Sequence, residues 1–383
     1  MKTKIIRTST VPISLNYLLK GQLNFLNQYF DVIAVSGEDS HLQAVAEREK
    51  VRVVPITLNR TISPFKDLIS LWKLYLLFRQ ERPQIVHSIT PKAGLLSMLA
   101  AKMARVPIRM HTFTGLIFPS KTGLMQRLLI AMDQLLCWAA TNIYPEGEGV
   151  KQDLIKYGIT TKPMLVLANG NVNGIDLDFF SCSQIDVDQK EELRRELGIL
   201  PNDFIFIFVG RLVGDKGINE LIKAFSELEI SNLKLLLLGT FENEIDPLHS
   251  ETLSKIENNT NILNVGFQSD VRPFFAISNC LVFPSYREGF PNVVMQAGAM
   301  GLPCIVTNIN GCNEIIIDGE NGLIIPTKDV KSLYNSMRKI SLNHDFYQNA
   351  KCKSRPMIQS RYEQKMVWEE ILNEYRILLN LNK

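Results

Sequence analysis

The sequence predicts an α/β protein built from two doubly wound parallel-sheet domains. Short β-rich segments alternate with helical ones along the whole chain, the pattern of parallel sheets covered by helices. At 383 residues the chain is long enough for two domains of ordinary size, each with its own core. A composition of 46% hydrophobic and 21% charged residues is that of a globular protein rather than a disordered one.

Taken in order, the strands of the first half are read as KIIRTS, DVIAVSG, RVVPI, IVHSI, RMHTF, NIYPE and MLVLAN. Two helical stretches among them are apolar with interleaved cations: SPFKDLISLWKLYLLFRQERP, from Ser63 to Pro83, and KTGLMQRLLIAMDQLLCWAA, from Lys121 to Ala140. Either they cover the faces of a sheet, as a doubly wound fold requires, or they lie on anionic lipid with Lys and Arg snorkelling and Trp at the interface. After VNGIDLDFF, a polar segment with Asp186 and Asp188 precedes a new helix and places the domain boundary at 180/181. The second half then reads FIFIFVG, KLLLLG, ILNVG, CLVFPS, PCIVTN and GLIIP as strands, and closes on a helical stretch from about Gln364.

Charge is unevenly shared. Residues 1–181 carry 21 Lys and Arg against 13 Asp and Glu, whereas the remainder carries 21 against 26, so the first half is basic and the second acidic. This favours contact with an anionic membrane. The basic residues are too dispersed, and without a nucleic-acid motif, to suggest a nucleic-acid partner. The first residues, MKTKIIRTST, have too short an apolar core for a secretory signal, and no run of about 20 apolar residues suggests a transmembrane helix. Six cysteines show neither paired metal-ligand spacing nor a disulfide framework, which fits a reducing cytosol.

The chemistry concentrates in YREGFPNVVMQAGAMG, from Tyr286 to Gly301. Glu288 stands in a turn of Gly289, Phe290 and Pro291, directly before a helical run that opens near Asn292. Unpaired N–H groups and the positive dipole end at a helix start attract phosphate, while a carboxylate at the same rim suits sugar hydroxyls. Upstream, the apolar run ending in Gly210 is followed by Arg211, Lys216, Gly217 and a helix ending at Ala224 and Phe225. Two cations thus lie just beyond a buried strand, where open parallel sheets bind ligands. The ligand suggested is a sugar joined to a phosphate. Alone, each of these signals is also ordinary turn or surface punctuation.

GRLVGDKGINELIKAF, LLLLG, NVGFQSDV, FPSYREGFPNVVMQAGAMGLPCIVTNINGCNEII and DGENGLIIP, in that order, resemble the C-terminal domain of family 4, or group 1, glycosyltransferases. IVHSITPKAGLLSMLAAKMARVPIRMHTFTG is similar to the N-terminal domain of members from bacterial capsular and surface polysaccharide biosynthesis. The resemblance implies a GT-B architecture, two Rossmann-like domains facing a central cleft, with an acceptor-binding domain at 1–180, a nucleotide-sugar-binding domain at 181–363 and the helix 364–383 packing back on the first. It further implies retaining transfer of a hexosyl-type sugar from a nucleotide sugar, UDP-linked before GDP-linked, to a lipid-linked saccharide. The enzyme would be peripheral on the cytoplasmic face of the inner membrane and would require no metal or other cofactor.

The resemblance also distributes roles. Arg211 and Lys216 stabilise the departing pyrophosphate, Gly210 and Gly217 allow close backbone approach, and Glu288 accepts hydroxyls of the donor sugar. Gly289, Phe290, Pro291 and Asn292 shape the phosphate turn. The family carries Glu, seven residues, Glu; here the second position is Gln296, whose amide still has an acceptor oxygen for ribose. Aligning on the Thr-Phe pair places the family's donor-contacting histidine at Thr114, so His111 either substitutes for it or is a packed strand residue. Lys92 is an acceptor-phosphate candidate or a solvated helix-start lysine. Glu242, Glu244 and Asp246 read as solvated charge. A nucleotide-sugar epimerase of the same architecture and a noncatalytic transferase subunit are the alternative functions.

Overall fold

A computed structural model describes residues 2–59, 63–242, 244 and 246–381. Its contacts separate Met1–Gly174 with Gln364–Lys383 from Ile175–Glu363. The first unit holds a sheet of six parallel strands: β1 (Lys4–Thr8), β2 (Asp31–Ser36), β3 (Arg52–Pro55), β4 (Ile85–Ile89), β5 (Ile108–Phe113) and β6 (Asn142–Pro145). They are ordered β3-β2-β1-β4-β5-β6. The order reverses between β1 and β4, which makes their C-terminal ends the topological switch point of the sheet. β4 is buried throughout, as a strand covered by helices on both faces must be.

MLVLAN does not form the seventh strand expected of it. Met164 makes an isolated bridge with Ile143, and the chain then bends through positive φ at Ala168, Gly170 and Asn171, which removes it from the ladder. The expected boundary also moves. The Ile175 N–H donates to the Tyr362 carbonyl at 2.8 Å, and Ile175 and Leu177 lie in the core of the second unit, so that unit begins at Ile175 rather than after residue 180.

The two apolar, cation-bearing helices are both present, at Pro64–Glu81 and Gly123–Ala139. Each buries a narrow stripe, with Leu74 and Phe78 in one and Leu136 and Cys137 in the other. Each also leaves apolar side chains exposed: Phe65, Leu68 and Trp72 on the first, Leu124, Leu128 and Trp138 on the second. The final helix, Gln364–Leu381, buries Val367, Ile371, Leu372, Tyr375 and Leu378 in the core of the first unit, one face of a 3.6-residue repeat. At about 1.5–3 kcal/mol for each large apolar side chain, this face is enough to hold the helix there. Residues 382 and 383, expected in the same helix, lie outside the described residues.

The second unit repeats the plan with β7 (Phe204–Val209), β8 (Leu233–Leu238), β9 (Ile262–Gly266), β10 (Cys280–Phe283), β11 (Cys304–Thr307) and β12 (Gly322–Ile325). Their order is β12-β11-β10-β7-β8-β9, all parallel, so here the switch point lies between β7 and β10. Phe206, Ile207, Phe208, Leu235, Leu236 and Leu237 form the middle of its core.

Candidate active site

The chain leaving β7 brings its polar residues to the switch point of the second unit. Gly210 follows the strand, Arg211 comes next, and a short 3-10 turn, Gly214–Lys216, leads into the helix Ile218–Ser226. Gly217 between them has φ 71°, and a Cβ there would stand 2.2 Å from the Pro284 carbonyl oxygen. Only glycine lets the start of this helix lie against the chain leaving β10. Across that contact the Tyr286 N–H donates to the Asp215 carbonyl at 2.9 Å.

This closeness joins Lys216 to Glu288. Lys216 Nζ donates to Glu288 Oε1, which also accepts from Ser285 Oγ at 2.8 Å. The two charged side chains are 15% and 18% exposed, so the pair stands at the edge of solvent, neither buried nor free. Arg211 is more open and pairs its Nη1 with Glu242 Oε2 at 2.7 Å. The reading of Glu242 and Asp246 as merely solvated is therefore corrected: Asp246 Oδ2 accepts the Asp215 N–H at 2.5 Å, and the loop after β8 closes on the loop after β7. Sequence alone left Ser285 unassigned and misread Asp246, because their partners are 3 and 31 residues away and meet only across turns.

The turn after Glu288 runs into the helix Asn292–Ala299, with Pro291 as its N-cap in extended conformation. Phe290 turns inward: it is buried and meets Tyr362 edge-on at 5.5 Å, so its part in this turn is to anchor the backbone. Gly311 passes close against this turn: a Cβ there would stand 2.6 Å from the Gly289 carbonyl oxygen and 2.7 Å from both Phe290 Cα and Pro291 Cδ. Gln296 lies one turn beyond Asn292, half-buried on the same side of the helix.

The remaining candidates belong to the first unit. His111 is 1% exposed on β5, with its Nδ1 bonded to Ser88 Oγ at 2.8 Å and its Nε2 without a partner among the described residues. Burial holds its imidazole neutral, with the pKa pushed down to about 3. These surroundings match the packed strand residue. Thr114 lies half-buried just past the strand. Lys92 is not a solvated lysine: its side chain is 10% exposed and pairs with Asp67 at 2.7 Å. It lines a cavity of about 320 Å³ together with Thr10, Thr90, Gly115 and Asp133.

Residues 27–170 match the glycosyl transferase 4-like domain, and residues 189–356 match glycosyl transferases group 1. The chain is 33% identical to the capsular polysaccharide biosynthesis glycosyltransferase CapM of Staphylococcus aureus, over 98% of this chain and 97% of that protein. It is 29% identical, over 82% and 81%, to the Escherichia coli UDP-Gal:alpha-D-GlcNAc-diphosphoundecaprenol alpha-1,3-galactosyltransferase. Among solved structures it superposes on Anabaena Alr3699/HepE in complex with UDP-glucose with a TM-score of 0.80, at 17% identity, covering 97% of this chain and 99% of that one.

Proposed function

The chain belongs to the group 1 glycosyltransferases, with their GT-B fold, and we propose that it moves a sugar with retention of configuration from a UDP-sugar to a lipid-linked saccharide in surface polysaccharide synthesis. GDP-sugars are the second donor class. The observation that carries this reading is the Lys216–Glu288 pair at the switch point of the second unit, with Arg211 beside it.

In the proposed reaction the donor's pyrophosphate takes Lys216 and Arg211 as counter-charges, which releases the Glu288 carboxylate to accept hydroxyls of the donor sugar. Arg211 offers a planar fork and Lys216 a mobile point charge, so together they follow the negative charge that develops on the leaving group. The Gly289–Asn292 backbone, at a helix start, takes a phosphate oxygen, and Gly210 and Gly217 keep the approach clear. Gln296 contacts ribose. The departing phosphate oxygen takes the acceptor's proton on the front face of the sugar, and the two cations serve where other transferases use a metal ion.

On the acceptor side, Thr114 follows β5, in which His111 is packed against Ser88, and the Lys92–Asp67 pair ties the first turn of the helix after β4 to the helix Pro64–Glu81. Two relatives, a capsular polysaccharide transferase and one acting on a diphosphoundecaprenol acceptor, support the acceptor class. No helix among the described residues is long and apolar enough to cross a membrane, and the exposed apolar side chains of Pro64–Glu81 and Gly123–Ala139 favour peripheral attachment at the cytoplasmic face of the inner membrane.

The test is incubation with a panel of UDP- and GDP-sugars, with and without lipid-linked acceptors, followed by nucleotide release, product mass and anomeric configuration. Acceptor-dependent release with a retained anomer is the expected result. Product without acceptor would indicate an epimerase, and nucleotide binding without turnover a noncatalytic subunit; either replaces this reading.

A further inference from the structure

The N-terminal edge of the first unit's sheet, opposite the edge where open parallel sheets take their substrates, holds another cavity, of about 260 Å³. Pro83 and Gln84 lead into β4, and Val106 and Pro107 lead into β5, so two chains entering neighbouring strands form its walls. Three arginines surround it: Arg79 from the last turn of the helix Pro64–Glu81, Arg82 just after that helix, and Arg105 just after the helix Pro91–Met103. None of the lining residues is acidic. Glu81, the carboxylate next to Arg82, gives its two oxygens to Lys4 and Arg52, both at 2.7 Å.

A cation just after a helix commonly serves to cap its last carbonyls. Here the backbone does that. The Arg82 N–H donates to the Phe78 carbonyl at 3.0 Å, and the N–H groups of Ala104, Arg105 and Val106 donate to the carbonyls of Ala100, Lys102 and Ala101 at 2.9, 3.1 and 2.9 Å. The Val106 carbonyl in the cavity's wall is itself taken by Arg109 Nη1 at 2.6 Å. Among the described residues no hydrogen bond or ion pair engages the side chains of Arg79, Arg82 or Arg105. Nor do the turns call for arginine. Arg82 and Arg105 are left-handed, at φ 48° and 59°, where a side chain is strained and glycine is the usual residue. After the helices Glu148–Lys156, Val187–Glu196 and Asn292–Ala299, glycine does take that place, at Gly158, Gly198 and Gly301. Two strained arginines at one cavity, with a third beside them, mark a site for negative charge. Guanidinium forks match the oxygens of a phosphate group.

We propose that this cavity binds a phosphate-bearing ligand, either a free oligophosphate or the phosphodiester headgroup of an anionic lipid, with Arg79, Arg82 and Arg105 taking its oxygens. Leu76, three residues before Arg79, and Met103, two before Arg105, are exposed and would meet the chains of a lipid source. The site belongs to the first unit alone and does not rest on the proposed function.

Two probes test it on the full chain: inorganic pyrophosphate, titrated by calorimetry with saturating UDP present to occupy the proposed donor site, and vesicles of phosphatidylglycerol in phosphatidylcholine, followed by flotation. The variants are Arg79→Gln and the pair Arg82→Gly with Arg105→Gly. The pair places glycine at both left-handed positions, so its Tm should stay close to that of the unsubstituted chain and a loss of binding is not a loss of fold. Lys50→Gly makes the same change at a left-handed cation that does not line the cavity, at φ 53°, and should bind both probes as the unsubstituted chain does. Pyrophosphate bound about tenfold or more weaker by Arg79→Gln and by the pair supports the site with a free ligand, since charge-assisted bonds are lost. Pyrophosphate binding kept, with vesicle capture reduced about threefold or more, supports it with a lipid headgroup. Both probes bound equally by all the proteins, or weakened as much by Lys50→Gly, overturns the site. So does an unsubstituted chain that binds neither probe.

Discussion

Lys216 is held by Glu288 and Arg211 by Glu242, so both cations of the proposed donor site already have carboxylate partners. A donor must displace these partners, and the exchange costs little because both pairs stand at the edge of water, where an ion pair contributes roughly 0–1 kcal/mol. In the proposed mechanism their value is realised when the pyrophosphate leaves. Lys216→Ala and Arg211→Ala should each reduce kcat by an amount equivalent to roughly 2–4 kcal/mol of barrier, measured as steady-state transfer; unchanged turnover in both would remove the mechanism. Gln296 makes a finer test, since the proposed ribose contact rests on an uncharged amide. Gln296→Glu should lower the donor KM by adding charge to the ribose contact, and Gln296→Ala should raise it. If Gln296→Ala leaves both donor KM and kcat unchanged, the residue does not touch the donor.

Among elements, the unbroken apolar runs were the most legible part of the sequence. FIFIFVG and KLLLLG became β7 and β8 because continuous apolar residues can be satisfied only in strands covered on both faces. MLVLAN has the same appearance yet stays outside the sheet, since nothing in its composition announces positive φ at Ala168 and Asn171. The Glu288 turn was readable because its residues are adjacent, whereas the cavity that Asp133 lines was not: it is assembled from four separate segments, and the Asp133 carboxyl looks like any polar residue on a helix. His111 shows how burial changes a reading. Gly94 of the helix Pro91–Met103 passes so near that a Cβ there would stand 2.4 Å from the imidazole, and the enclosed ring cannot easily charge. Because its folded pKa is depressed, the unfolded chain binds the proton that the folded chain refuses; stability is complete above pH 6.5 and is lost as pH falls toward about 3. Asp133, raised from 3.8 to about 7, acts in the opposite sense and loses stability as pH rises through that window. Urea unfolding across this range should therefore show a shallower acid loss for His111→Gln and a steeper one for Asp133→Asn. Identical pH slopes in all three proteins would mean that neither group titrates differently on folding.

At the scale of the whole molecule, the positive surplus of residues 1–181 and the exposed apolar helices fall on the same unit, and the two features reinforce each other. Phe65 is 87% exposed and Leu124 is 82% exposed, and each has cations close in sequence: Lys66 and Lys73 near the first, Lys121 and Arg127 near the second. Apolar side chains left in water on two helices cost about 25 cal/mol for each Å² that lipid could cover, and each lysine near an anionic surface adds about 1 kcal/mol of attraction. The two contributions separate by salt, because screening weakens the second without touching the first. The full chain should therefore sediment with vesicles rich in phosphatidylglycerol far more than with phosphatidylcholine, and lose part of that binding as salt is raised. Phe65→Asp with Trp72→Asp should reduce the salt-resistant part, while Lys66→Glu with Lys73→Glu should reduce the salt-sensitive part. Transfer to a short-lipid, soluble acceptor should survive both pairs of changes, because neither touches the proposed donor or acceptor site. Equal binding to neutral and anionic vesicles, unchanged by either pair, would show that these helices do not meet the membrane.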